Sequence, residues 1–262
     1  MPKEHYIELV GKIVKIIETL RDAPDGLSLQ ELAARTRFVK SSVHRILQSL
    51  RRHGYIEQDG VGGRYHLGLQ FLPLARNVSQ GLNLPQAAQP YLKRLVGAFD
   101  ETSYLVVLQG GRAVFIDVRE TSRGLRLVRP LGAEASFHAT AAGKVIAAFL
   151  PPEQAAALLK ERTFEPLTPR TVTDPCLIQQ AWVQAHEQGY GLNDEETMVG
   201  VVFLAAPVFD ARGAVCGSLS MGIPKPRYTE RLGKQITKEL KAACRELSAT
   251  LEVAGYIHQK PR

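Results

Sequence analysis

Apolar positions from Tyr6 to Leu20 recur at steps of four and three, through Val10, Ile13 and Ile17, and predict a first helix with one apolar stripe. Asp22-Ala-Pro-Asp-Gly26 breaks that pattern. Ser28-Leu-Gln-Glu31 then has the spacing of a capping box, so a second, short helix is expected to start there and to end near Arg35 to Phe38. A third helix is predicted from Val39 or Lys40 to His53, with Val39, Val43, Ile46, Leu47 and Leu50 inward and Gly54 as a left-handed cap. Tyr55-Ile-Glu-Gln and Arg64-Tyr-His-Leu flank Asp-Gly-Val-Gly-Gly, which is the pattern of a hairpin. Three helices followed by a hairpin is the order of a winged helix-turn-helix.

From Leu69 to about Asp100 the pattern is helical but interrupted by Pro73, Pro85 and Pro90, so the domain boundary is expected in this stretch. The expected organisation is a winged helix-turn-helix over residues 1–68, a linker helix over 69–84 and a second domain over 85–262. In the second domain, Thr102 to Gln109 and Arg112 to Val118 read as strands around Gly110-Gly111, and Gly124 to Pro130 as another. Ala139 to Leu150, Pro152 to Lys160 and Pro175 to Gln188 read as helices. Val201 to Phe209 and Ala214 to Ile223 pair across Asp210-Ala-Arg-Gly213, before a last helix from about Glu230 to Val253. The fold class is therefore α+β, with a mixed antiparallel sheet flanked by helices behind the winged helix.

Composition adds limits. With 45% hydrophobic and 23% charged residues the chain can build a core and is too apolar for a disordered one. No stretch has the roughly 20 uninterrupted apolar residues of a membrane span, and the first residues lack an apolar signal core, so a cytoplasmic protein is expected. Cys176, Cys216 and Cys244 are widely spaced and outside any C-x-x-C arrangement; all three are read as reduced and mostly structural. No metal or cofactor motif stands out, so neither is expected.

The formal charge of +7 favours a polyanionic partner, and its distribution favours one place. Between Leu32 and Ile56 there is no acid, while Arg35, Arg37, Lys40, Arg45, Arg51 and Arg52 fall in that window. A recognition helix reads base edges from its N-terminal end and gathers phosphates with basic and hydroxyl side chains. Lys40, Ser41, Ser42, His44, Arg45, Gln48 and Arg52 on the third helix, with Arg37 just before it, supply that set. One helix alone would read as a solvated face; the acid-free window and the following wing turn the balance toward DNA. Arg64, beside the glycine-rich wing tip, reads equally as a minor-groove or phosphate contact and as an ordinary hairpin arginine.

Elsewhere the chemistry is less pointed. Phe137-His-Ala-Thr-Ala-Ala-Gly-Lys144 resembles a phosphate loop but lacks its first glycine and its Ser or Thr after the lysine. The same run starts a helix whose free N–H groups could cradle a carboxylate, or could simply pack tightly. Asn193-Asp194-Glu195-Glu196 offers carboxylates without a matching nucleophile, and Glu195 and Glu196 read as a solvated loop. Ser218 and Ser220, two apart on one strand, put both hydroxyls on one face, where they line a polar pocket or bond to neighbouring backbone.

Taken together, these segments resemble the IclR family of bacterial transcription regulators from about Tyr6 to Val253. Ser42-Val-His-Arg-Ile-Leu-Gln-Ser-Leu50 with Gly54-Tyr-Ile is similar to the family's recognition helix, and Tyr65-His-Leu-Gly68 to the close of its wing. His138-Ala-Thr-Ala-Ala-Gly-Lys144, and Gly189-Tyr-Gly-Leu-Asn-Asp-Glu-Glu196 through Ala205-Ala-Pro-Val-Phe-Asp210, resemble the two signatures of its effector domain. The resemblance implies a GAF-like ligand domain, homodimers or homotetramers, and a palindromic double-stranded DNA operator. It places the effector pocket on Ala141, Ala142, Asn193, Asp194, Glu195, Phe203, Ser218 and Ser220. Members with small-acid ligands can carry Asp where this chain has Asn193 and a smaller residue where it has Phe203. That points away from a glyoxylate-like effector and toward an aromatic acid or other catabolite. The function expected is a ligand-responsive regulator of a catabolic or metabolic operon, a repressor rather than an activator. The rivals are a metabolic enzyme using His138, Asp194 and a serine, and a ligand sensor that acts through protein contacts.

Overall fold

The computed structural model describes residues 7–74, 83–127, 129–161 and 163–258. Packing divides the chain into two units, residues 1–81 and 82–262. Residues 75–82, half of the expected linker helix, lie outside the described residues, as does Tyr6.

In the first unit, α1 (Glu8–Arg21), α2 (Leu29–Thr36) and α3 (Lys40–Arg52) precede the hairpin of β1 (Ile56–Gln58) and β2 (Tyr65–Leu67). The capping box forms as its spacing demands: the Ser28 hydroxyl accepts from the Glu31 N–H, and the Glu31 carboxylate accepts from the Ser28 N–H at 2.7 Å. Ile16, Leu20, Leu32, Val43, Ile46, Leu47, Ile56 and Tyr65 close one small core. Two expectations change. The inward stripe of α1 is Ile13, Ile16 and Leu20, while Val10 is 52% exposed and shares the outer side with Ile7 and Val14. The helix thus carries a second apolar stripe, because α2, α3 and the wing cover only one side of it. Val39 is 73% exposed, since it takes the extended N-cap position of α3 and its side chain leaves the helical stripe.

The second unit opens with α4 (Asn83–Phe99), which continues through Pro90. Its sheet contains β3 (Thr102–Gln109), β4 (Arg112–Arg119), β5 (Gly191–Asp194), β6 (Val201–Phe209) and β7 (Val215–Pro224), in the order β4-β3-β7-β6-β5 with every pair antiparallel. Helices cover both faces, so β7 is buried at every position and shows no alternation of apolar and polar residues. Against one face lie α4 and α8 (Glu230–Val253), over a core that includes Leu92, Leu95, Leu105, Leu219, Leu240 and Leu247. Against the other lie α5 (Ala141–Ala148) and α7 (Pro175–Gln188), with Tyr104, Phe115, Phe137, Ile146, Trp182 and Phe203; α6 (Pro152–Glu161) packs at its margin. The strand expected at Gly124 to Pro130 is irregular throughout its described residues, and Gly191–Asp194, not expected as a strand, pairs with β6. Cys216 and Cys244 are buried in the sheet–helix core, where desolvation pushes both thiols up to about 12. Cys176 is exposed, against the expectation of a structural role.

Two glycines fix where α5 sits. A Cβ on Gly143 would lie 2.1 Å from the Ser136 carbonyl oxygen, and one on Gly191 would lie 2.3 Å from that of Ala141. The helix start is thus pressed between the preceding chain and β5 at distances that only a residue without a side chain permits.

Candidate nucleic-acid interface and ligand cavity

Because Val43, Ile46 and Leu47 turn inward, the opposite side of α3 turns to solvent. Arg37, Lys40, Ser41, His44, Arg45 and Arg52 are exposed, and Ser42 and Gln48 are half-buried on the same surface. Arg37 reaches it from the left-handed position that ends α2, at φ 61°. Among the described residues, none of Arg37, Lys40, Arg45 and Arg52 has a carboxylate partner. Gln48 and the His44 ring are 3.3 Å apart along one turn, which orders the middle of the face. No side chain caps α3, in contrast to α2, so the positive end of its dipole is left to an outside acceptor.

The wing is tied to the rest of the unit. Arg51 donates to Gln58 at 2.8 Å, and Gln58 donates to the Gly63 carbonyl at 3.2 Å. Arg64 donates to the carbonyls of Asp25 and Gly26, at 3.0 and 2.9 Å, and pairs with Glu31 at 3.3 Å. Its guanidinium therefore holds the hairpin to the turn before α2, and the alternative of an ordinary hairpin arginine describes it better than a groove contact does.

In the second unit, Ala141, Ala142, Asn193, Phe203 and Ser220 meet around one cavity, together with Phe115, Thr140, Thr197 and Arg129. The elements explain the meeting. The N-terminus of α5 presents Ala141 and Ala142, β6 carries Phe203 opposite Asn193 on β5, and Ser220 on β7 pairs with Ala205 and Tyr104. Thr140 caps α5 through its hydroxyl, which accepts from the Gly143 N–H at 2.9 Å. Asn193 accepts the Glu196 N–H at 2.8 Å and donates to Thr197 at 2.7 Å, leaving one amide hydrogen for a guest. The enclosed space is about 10 Å³, room for about one water, so an organic guest requires the wall to move.

Three expected effector residues lie elsewhere. Asp194 pairs with Lys225 and, at 3.1 Å, with Arg170. Glu195, at φ 65°, pairs with Arg170 at 3.0 Å and accepts the Gly200 N–H at 2.7 Å. Both shape the β5–β6 turn instead of lining the cavity, because β5 ends at Asp194 and the chain turns away there. Ser218 is fully buried on the same strand face as Ser220 but does not line the cavity, and its hydroxyl has no hydrogen-bond partner.

Nor are Glu195 and Glu196 a solvated loop. Glu196 is buried and paired with Lys144, which also donates to the Leu192 carbonyl at 3.2 Å. Burial pushes the Glu196 carboxyl up and the Lys144 ammonium down from their ordinary values, and the pairing offsets part of each shift. The lysine of the phosphate-loop-like run thus locks α5 to the β5–β6 turn.

Sequence reasoning missed Arg129. Arg123, Arg126 and Arg129 recur every third residue, the last two in the segment read as a strand and the first just before it, and nothing in that spacing separates them. Arg123 pairs with Asp100 at 3.1 Å and Arg126 with Glu120 at 2.8 Å. Arg129 has no carboxylate partner among the described residues; its guanidinium carbon lies 5.7 Å from the centre of the Phe203 ring, and burial lowers its pKa. The Tyr104 hydroxyl, donating to the Leu127 carbonyl at 2.6 Å, holds the segment in place.

A winged helix with an outward, acid-free basic face, joined in one chain to a sheet domain around a small cavity lined by both polar and apolar side chains, defines a DNA-binding regulator with a ligand domain. The chain matches the IclR helix-turn-helix domain over residues 9–60 and the bacterial transcriptional regulator IclR C-terminal domain over residues 76–249, and it belongs to the IclR family. It is 31% identical to the HTH-type transcriptional regulator BhcR of Paracoccus denitrificans, over 85% of this chain and 80% of that one. It is 27% identical to the transcriptional repressor IclR of Escherichia coli, over 87% and 84%. Among solved structures it is similar to an IclR-type protein from Silicibacter sp. TM1040, with a TM-score of 0.81, 25% identity and coverage of 93% and 96%. It also shares the fold of an IclR homolog from Microbacterium hydrocarbonoxydans complexed with 4-hydroxybenzoate, with a TM-score of 0.79, 22% identity and coverage of 94% and 99%. The protein is a DNA-binding transcription regulator.

Proposed function

We propose that this regulator is a homo-oligomeric repressor of a catabolic operon, released from a palindromic operator by a small organic acid. The exposed basic face of α3, free of carboxylate partners among the described residues, carries the DNA half of this reading. Arg37, Lys40, Ser41, Ser42, His44, Arg45, Gln48 and Arg52 are the proposed contact set, and Arg64 is left out of it. The second apolar stripe of α1, Ile7, Val10 and Val14, supports pairing of winged helices, since exposed apolar rows on a small unit favour self-association. Ala141, Ala142, Asn193, Phe203 and Ser220 form the proposed effector wall. An effector that binds one conformer of the oligomer better than the other shifts the spacing of the paired recognition helices, and no more is required.

The repressor sign draws on relatives such as the transcriptional repressor IclR, and the acid on the 4-hydroxybenzoate complex of the Microbacterium homolog. We assign no enzymatic activity. His138 is buried with its ring nitrogen 3.1 Å from the Glu165 carbonyl, and Asp194 is held in the surface ion cluster, so the residues of the enzyme alternative do not form a nucleophile and base. No helix among the described residues is long and apolar enough to cross a membrane, in keeping with a place in the cytoplasm.

The test is binding of the full chain to DNA upstream of its own gene over a salt series. Affinity should fall steeply with salt and drop again in Arg45→Ala. Salt-independent binding, or none, rejects the DNA reading.

A further inference from the structure

We propose that Arg129 is the counter-ion of the effector's carboxylate and selects acids over their neutral analogues. The proposal rests on the reading that this cavity is the effector site. Arg129 is the one charged side chain among the described residues that line it. The remaining polar lining, Thr140, Asn193, Thr197 and Ser220, can orient a guest but cannot neutralise one. The two arginines that precede it in the segment are each paired with a carboxylate, and among the described residues Arg129 is not. A half-buried guanidinium without a partner is a standing electrostatic cost, and an incoming carboxylate removes it.

Geometry gives the same answer. With its guanidinium carbon 5.7 Å from the centre of the Phe203 ring and no carboxylate partner among the described residues, Arg129 has a fork of N–H groups that matches a carboxylate with two parallel hydrogen bonds. Because the cavity has room for about one water, the guest must displace part of the wall, and Arg129 and Phe203 close it from the side of the irregular segment. Asn193 helps by its neutrality, since a carboxylate at that position would repel an acid.

The experiment is calorimetry with thermal shift on the full chain, using benzoate, 4-hydroxybenzoate and pyruvate, each beside its amide. At least one acid should bind wild type about 10- to 100-fold more tightly than its amide. Arg129→Gln should remove that preference by weakening the acid and not the amide, Arg129→Lys should restore part of it, and free Arg129→Gln should melt no lower than wild type. Equal binding of acid and amide, unchanged acid binding by Arg129→Gln, or no response of wild type to any acid overturns the proposal. Ala142→Phe, or Ser220→Val where that variant does not fold, separates the two layers of the reading. If filling the cavity blocks the acid while Arg129→Gln does not, the cavity stands and Arg129 falls. If filling it changes nothing, the cavity itself is wrong.

Discussion

The candidate contacts of the two units face opposite ways, each with respect to its own unit: outward to solvent in the first, inward to a cavity in the second. In the first, the candidate contacts all come from one helix and its approach, point outward, and have no carboxylate partners among the described residues. In the second, they come from α5, β5, β6, β7 and an irregular segment, point inward, and sit beside a buried ion pair and a buried hydroxyl without a partner. A polymer with a charged backbone can be met by a surface that already exists. A small molecule must be enclosed, so its site cannot exist until the sheet has brought distant residues together. Substitutions in the first unit should therefore change binding and leave stability alone, and those in the second should do both.

The largest effect is expected at Lys144. Lys144→Met leaves Glu196 buried without its partner and should cost about 3–5 kcal/mol of stability, confined to the unfolding of residues 82–262. The double change with Glu196→Leu should recover most of it, and denaturant curves on the three proteins decide; equal stability of wild type and Lys144→Met would mean that the pair is not buried in solution. Next comes Arg45→Ala, expected to lose about 1–3 kcal/mol of operator affinity with an unchanged melting temperature. A drop in melting temperature there would break the contrast between the units. Ser218→Ala should stabilise by about 1 kcal/mol, because it removes a buried hydroxyl that bonds to nothing. Destabilisation would show that the hydroxyl has a partner in solution.

The smallest effect concerns pH. Burial holds His138 below its ordinary value of 6.5, and His258 likewise, so the unfolded chain takes up protons that the folded chain refuses. Their contribution to stability is full above that ordinary value and is lost as the pH falls through it toward the folded values. Glu196, raised by burial, works in the opposite direction, so the comparison must be made within one background. Melting temperatures from about pH 7.5 to about pH 5.5 should fall more steeply in wild type than in His138→Gln. Parallel slopes would remove His138 from this account.

Legibility in the sequence divides along the same line. The winged helix could be read almost whole, because the capping box, the stripe of α3 and the turn glycines each act within a few residues. The errors there came from assigning every apolar position to one inward stripe: α1 carries a second stripe at Val10, and Val39 takes the extended N-cap position of α3. In the second unit the long elements were legible from their periods, and the effector wall was placed only through resemblance. Asp194 and Glu195 were misplaced because adjacency in sequence to Asn193 does not survive the end of a strand. Glu196 looked solvated because its partner, Lys144, lies 52 positions away in the chain. Arg129 could not be told from Arg123 and Arg126, since their different partners are set by tertiary packing alone.

The close approach of Gly143 and Gly191 bears on how such a protein acquires a new inducer. Neither residue lines the cavity, but a side chain at 143 would push the start of α5 off the chain at Ser136, and one at 191 would push β5 off α5. Phe203 and Arg129 do line it, meet side chain to side chain, and can be exchanged without moving the frame. A library randomised at 129 and 203 should yield folded sensors with altered inducer ranges, whereas one randomised at 143 and 191 should yield chains that no longer accumulate in the cell.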